Sequence, residues 1–203
     1  MPLRRADRDL PGLTVLALLL TGPRHTYEMH RLMIDTRKDF VTGLPRSMYH
    51  SVERLLRDGL IVVDGTVRDG TRPERIVYAV TDEGRAEVAE RIRRLLRTPD
   101  PDATLLVAAL SFIGCLRPDD AAAALRARHD TLAARCVELR EAIEGIPIPR
   151  VLMLEAEFEF NRAASERDWV ADLVAELESG GLGWPADPRE LAEEAAQAIS
   201  TEK

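Results

Sequence analysis

The sequence predicts a mainly α fold in two parts: a helical N-terminal part closed by a small two-stranded β-ribbon, then a part built of helices alone. Three observations predict it. The chain of 203 residues is 45% hydrophobic but only 4% aromatic, with Leu and Ala dominant, a composition that suits packed helices. Strand-like runs occur in one place, Leu60 to Val63 and Ile76 to Val80, around a polar loop, Asp64 to Glu74, holding two Gly and one Pro. Thr98-Pro99-Asp100-Pro101 interrupts the helical pattern and stiffens a link. The expected divisions are residues 1–97, a linker at 98–101, a helical unit at 102–179 and a tail at 180–203.

Residues 1–9 are charged and are expected to fray, or to offer Arg4, Arg5 and Arg8 as a basic arm. Leu10 to Leu20 reads as a buried first helix, ended by Thr21-Gly22-Pro23. An early-arginine, apolar start resembles a signal peptide, but Asp7 and Asp9 break its basic region and no cleavage pattern follows. Thr26 is expected to cap a second helix running to about Thr36, with Tyr27, Met29, Leu32 and Met33 on its apolar face. Asp35 to Gly43 is a polar turn.

The next helix organises this half. Pro45 suits the first helical position. Leu44, Met48, Val52, Leu55 and Leu56 recur at helical spacing on one face, and Arg46, Ser47, His50, Ser51, Arg54 and Arg57 take the other. Gly59 is placed to end it in a left-handed cap. Two strands and their loop follow, with Arg68, Arg72 and Arg75 in or beside the loop. Helix, helix, turn, helix, two-stranded wing is the layout of a winged helix-turn-helix. Thr81 then caps a fourth helix whose buried stripe is Val88, Ile92, Leu95 and Leu96; Arg91, Arg93, Arg94 and Arg97 crowd its last turns.

Beyond the linker three helices are expected: Asp102 to Cys115, Pro118 to Glu144 and Arg150 to Ser179. In the middle one Leu125, His129, Leu132, Cys136, Leu139 and Ile143 alternate by four and three, a short coiled-coil seam that must pack on the third helix or on a partner chain. In the third, Val151, Leu154, Phe158, Trp169, Leu173 and Leu177 are the apolar positions. Asn161, Arg162 and Ser165 either face solvent or line an effector pocket beneath Trp169. The dimerisation candidates are Leu125, Leu132, Cys136, Leu139, Ile143, Phe158, Trp169 and Leu173. Pro188 to Ile199 reads as one weak final helix.

Net charge is −7, but it is unevenly spread. Residues 1–97 hold 18 Lys+Arg against 14 Asp+Glu, a net of +4; residues 98–203 hold 10 against 21, a net of −11. A basic half joined to an acidic half fits a DNA-binding unit carrying a unit of another kind. Cys115 and Cys136 lack metal spacing and suit a reducing cytoplasm. No run is long enough for a membrane span, and no cofactor or metal is implied.

A helix that enters the major groove buries one face and offers short polar and basic groups on the other. Arg46, Ser47, Tyr49, His50 and Arg54 fit that role, Arg46 as the bidentate reader of guanine and Ser47, His50 and Arg54 as phosphate contacts. Arg72 and Arg75 flank Pro73 on a wing tip able to lie along the minor groove, with Arg68 nearby. There is no nucleophile elbow, phosphate loop or HExxH motif, so an enzyme is not expected.

These residues carry a family resemblance. Gly22-Pro23-Arg24-His25-Thr26-Tyr27-Glu28, Pro45-Arg46-Ser47-Met48-Tyr49, Leu55-Leu56-Arg57-Asp58-Gly59-Leu60-Ile61 and the run from Arg72 to Arg85 resemble the PadR family of bacterial transcriptional regulators over roughly residues 10–97. Gly84 matches the family's Thr-x-x-Gly helix start, and residues 102–179 are more loosely similar to its helical C-terminal domain. The resemblance implies a homodimer built through the C-terminal helices, an operator with dyad symmetry, and a repressor released by a small molecule. It implies DNA contacts at Tyr27, Ser47, Tyr49 and Arg72. Arg46 departs from the small residue common at its place, and Thr26 replaces the usual Gly beside His25. The competing reading is a protein-interaction module whose winged helix no longer binds DNA; against it, Glu53 is the only acid among residues 44–57.

Overall fold

The computed structural model describes residues 2–36, 46–67, 75–145 and 147–184. In chain order these form α1 (Leu10–Leu20), β1 (Arg24–His25), α2 (Thr26–Asp35), α3 (Arg46–Arg57), β2 (Ile61–Val67), β3 (Arg75–Val80), α4 (Asp82–Arg97), α5 (Ala103–Ser111), α6 (Pro118–Gly145) and α7 (Leu154–Ser179), with 3-10 turns at Ile113–Cys115 and Arg150–Leu152. Leu44, Pro45, Arg68, Arg72 and the expected helix from Pro188 to Ile199 lie outside the described residues.

α1 is apolar on every side, so it must be enclosed. Leu10 and every residue from Gly12 to Leu20 are buried, and α3, α4 and β3 pack around it. Asp9 caps it, accepting the Gly12 N–H at 3.2 Å. The N-terminal segment is neither frayed nor a free arm. Asp7 is wholly buried and accepts from the Arg4 amide at 2.8 Å and from Arg94 at 3.0 Å. Arg4 also reaches Glu87 at 3.4 Å, and Arg8 pairs with Asp100. The arginines of α4 serve the same network: Arg91 binds Glu87 at 2.7 Å, Arg94 binds Glu90 at 2.9 Å, and Arg93 lies 3.3 Å from Glu90.

Three local expectations are corrected. The cap of α2 is His25, not Thr26: its Nδ1 accepts the Glu28 N–H at 3.0 Å, and Thr26 is the first helical residue. Only Met29 and Met33 of the expected apolar face reach the core fully; Tyr27 is 56% exposed. The wing is a three-stranded antiparallel sheet, order β1-β3-β2, because Arg24 and His25 add a short strand opposite Tyr78 and Val77. β2 also continues past Val63 to Val67, through an irregularity between Val63 and Gly65.

The end of α3 follows the sequence. Gly59 takes φ +70°, the Leu60 N–H reaches Leu55 C=O at 2.9 Å and the Gly59 N–H reaches Leu56 C=O at 3.1 Å, the paired bonds of a Schellman stop. Thr81 ties this stop to the next helix: its hydroxyl donates to Gly59 C=O at 2.9 Å and accepts the Gly84 N–H at 3.0 Å. Gly84 has a steric cause too. A Cβ there would lie 2.0 Å from Leu60 C=O and 2.8 Å from Val80 Cγ2.

The all-helical part shares its core with the first. Leu105, Ala108, Ala109, Phe112, Leu116, Leu125, Val170, Val174 and Leu177 join one buried cluster with residues of α1 and α4. A second, smaller cluster joins Leu132 and Cys136 to Ala163. The expected helix from Asp102 to Cys115 is α5, capped by Asp102, followed by a separate 3-10 turn. The inner face of α7 is Ala163, Val170, Val174 and Leu177. Of the positions read from the sequence, Leu177 is on that face, Leu173 is half-buried, and Val151, Leu154, Phe158 and Trp169 are exposed. Trp184 folds back, donating its indole N–H to Leu116 C=O at 3.1 Å.

Arg128 on α6 is buried at the junction. Its Nη1 donates to the carbonyls of Leu95, Leu96 and Thr98 at 3.1, 3.2 and 2.9 Å, at the end of α4. Its Nε donates to Glu166 on α7 at 2.5 Å. Burial pushes the guanidinium pKa down from its ordinary value, and the Glu166 carboxylate opposes that shift.

Two stability predictions follow from these contacts. Gly84→Ala is expected to cost about 2 kcal/mol in chemical denaturation, since a backbone carbonyl must give way. Arg128→Met is expected to cost about 3 kcal/mol by the same measurement, because Glu166 and three carbonyls lose their shared donor.

Candidate nucleic-acid interface

α3 is amphipathic, and its inward face fixes its outward one. Met48, Val52 and Leu55 are buried against the core with Leu56 half-buried, which turns Arg46, Tyr49, His50, Glu53 and Arg57 to solvent. Ser51, expected on the polar face, is buried at the flank. Arg54 is half-buried and engaged: it pairs with Asp9, the cap of α1, and its Nη2 lies 3.4 Å from Ser51 Oγ. Ser47 is half-buried, and its hydroxyl has no partner among the described residues. His50 Nδ1 lies 3.8 Å from Glu53. The free part of the face is therefore led by Arg46, Tyr49 and His50.

Tyr78 on β3 is buried. Burial pushes the Tyr78 hydroxyl pKa up, with nearby Tyr49 and Glu53 adding to the shift. At the other end of β3, Arg75 lies over the Tyr27 ring, with Cζ 5.1 Å from its centroid. His25 sits beside both: its ring centroid is 6.2 Å from that of Tyr27, and its Nε2 is 3.4 Å from Arg75 Nη1. The structure thus brings Tyr27 and Arg75 together, while Arg46, Tyr49 and His50 stand on α3. Arg68 and Arg72 lie outside the described residues. His25 was legible only as a position in the family's pattern. The signal that could have marked it as the cap is Glu28 three residues later, as in a capping box.

In the helical half, Leu125, Leu132, Cys136 and Leu139 are buried within the chain, and Ile143 and Leu173 are half-buried. Phe158, at 66% exposure, and Trp169, at 49%, are open. Val151, Leu152 and Leu154 extend the exposed apolar surface toward the start of α7. Arg162 pairs with Glu159 at 2.8 Å, Asn161 Nδ2 donates to Glu157 C=O at 2.8 Å, and Ser165 is exposed. A cleft of about 300 Å³ opens instead between α6 and α7, lined by Arg140, Ile143, Glu144, Glu157, Phe160 and Asn161, and includes none of Arg162, Ser165 and Trp169. Among the described residues no group of His, Cys, Asp or Glu could hold a metal ion, and no helix is long and apolar enough to cross a membrane.

Residues 15–90, from the middle of α1 to the middle of α4, match the model of the transcriptional regulator PadR-like family. No curated protein matches the chain. Among solved structures, Bacillus subtilis PadR in complex with operator DNA is 21% identical, covering 82% of this chain and 98% of that one at a TM-score of 0.40. The same protein in complex with p-coumaric acid is 17% identical over 83% and 99%, at 0.37. A PadR-like transcriptional regulator from Bacillus cereus is 18% identical over 84% and 99%, at 0.36. The likeness lies in the winged-helix segment: residues 15–90 match the PadR-like family of transcriptional regulators.

Proposed function

We propose that the chain is a dimeric, sequence-specific DNA-binding regulator of the cytoplasm, a repressor on a dyad operator that a small-molecule effector releases. The observation that carries the DNA half is the outward face of α3, where Arg46, Tyr49 and His50 stand exposed. Tyr27 and Arg75 form the neighbouring edge beside the wing. In this reading α3 enters the major groove, Arg46 reads a base, and Ser47, Tyr49, His50, Tyr27 and Arg75 hold backbone. Arg68 and Arg72 on the wing tip add minor-groove and phosphate contacts. Arg54 keeps a phosphate role only if DNA competes with Asp9 for it.

The proposed division of labour gives residues 1–97 to DNA, 98–101 to the link and 102–179 to dimerisation and effector response, with 180–203 as a tail. The exposed apolar side chains of α7 and of the 3-10 turn before it support the dimer. The row from Val151 to Phe158, with Trp169 beyond it, is surface that a second chain would cover. Effector release is supported by the likeness to the PadR-like family alone, with Arg162, Ser165 and Trp169 as its candidate seat.

The first test is a titration of labelled DNA from directly upstream of the protein's own gene, against excess random duplex, at two salt concentrations. Binding that survives competitor and weakens with salt supports the regulator. Arg46→Ala is then expected to lose roughly 1–3 kcal/mol on the specific site and little on random duplex. Equal losses on both would remove its base-reading role. Absence of binding to any genomic fragment in a genome-wide selection would favour the interaction-module reading. For the dimer, light scattering is expected to give twice the 22.6 kDa of one chain, and Phe158→Glu to halve that mass. A wild-type monomer at micromolar concentration would overturn the dimer.

A further inference from the structure

The contact between His25 and Arg75 has an unusual chemistry. His25 Nδ1 accepts the Glu28 N–H at 3.0 Å as the cap of α2. A neutral imidazole has one acceptor nitrogen and one N–H, so the proton is on Nε2. That nitrogen lies 3.4 Å from Arg75 Nη1, and a guanidinium has no acceptor. The pair is therefore two donors facing each other, not a hydrogen bond. Donors this close are reconciled by a third group that accepts from both, and an anionic oxygen does so best.

The surroundings fix both donors in place. The cap bond holds the imidazole from behind, and the backbone of His25 pairs with Val77 in the sheet. Arg75 lies on the Tyr27 ring. The nearest carboxylate on α2, Glu28, is already engaged by Arg24 at 2.6 Å. Arg24 also reaches Thr21 Oγ1 at 3.1 Å, so it is turned from the pair. Tyr27, the neighbour of both donors, is exposed, so the site opens to solvent.

We propose that His25 Nε2–H and the Arg75 guanidinium together clamp one phosphodiester oxygen of the DNA backbone, at the seam between α2 and the wing. The site rests on the DNA-binding reading and adds to it a contact from a neutral side chain. A neutral donor contributes affinity without releasing a counterion, whereas Arg75 contributes both.

The test uses full-length protein and a random-sequence duplex, which reports backbone contacts, alongside the upstream fragment. His25→Asn keeps a capping side chain but removes the Nε2–H. It is expected to weaken binding to both duplexes by about tenfold, with unchanged melting temperature and unchanged salt slope. Arg75→Ala is expected to weaken both and to reduce the salt slope by about 1 per protomer. The double variant is expected to lose less than the two single losses combined, because one phosphate is shared. Independently of DNA, the nitrogen-15 spectrum of the His25 ring, assigned by its loss in His25→Asn, is expected to report the Nε2–H tautomer. Wild-type affinity and slope in His25→Asn, or an Nδ1–H tautomer, would overturn the clamp while leaving the regulator reading intact. Failure of the wild-type protein to bind either duplex would overturn both.

Discussion

The guanidinium of Arg128 is the constraint on which the rest of the structure depends. A helix ends with carbonyls that have no partner of its own, and the end of α4 falls where α6 crosses it. Placing one cation against three of those carbonyls satisfies them and complements the negative end of the helix dipole. The same side chain reaches Glu166, so α4, α6 and α7 meet at one residue. From α4 the chain of contacts continues through Thr81 and Gly59 to the end of α3. A displacement of α6 against α4 therefore has to break buried charged bonds next to the winged helix.

A second set of ion pairs decides which arginines are free. Asp7 and Asp9 stand just ahead of α1 and draw in Arg94, Arg91 and Arg54. Asp100 takes Arg8; burial raises the Asp100 pKa, but the Asp102 amide and Arg8 outweigh it and hold the carboxyl below its ordinary value. The basic character of the N-terminal half is thus mostly spent inside it. Among the described residues Arg46 and Arg57 stand exposed on α3, and Arg75 lies over the Tyr27 ring.

The helical half divides its apolar side chains between two faces. Small or compact residues, Ala163, Val170 and Val174 on α7 with Leu132 and Cys136 on α6, let the helices approach within the chain. The large ones, Phe158 and Trp169, are left outside. Leu177 apart, the inward side of α7 is therefore set by its compact residues and not by its aromatic ones.

The sequence by itself determined α1 from its unbroken apolar run, the inward face of α3 from its spacing, the Gly59 stop, the Thr81 cap and the break at the linker. Each of these is decided by neighbours within a few residues, where sidedness and backbone preference act directly. The outward residues of α3, Arg46, Tyr49 and His50 above all, were legible as exposed, because an amphipathic helix exposes whatever it does not bury. Only the tertiary structure decided the rest. Tyr27 turns outward because Met29 and Met33 fill the core; His25 becomes cap and strand at once because β3 lies beside it; Arg54 is claimed by Asp9, forty-five positions earlier in the chain. Ion pairs and strand pairing between distant segments leave no periodic trace in a sequence, so the partners of its charged residues became visible only once the chain was folded.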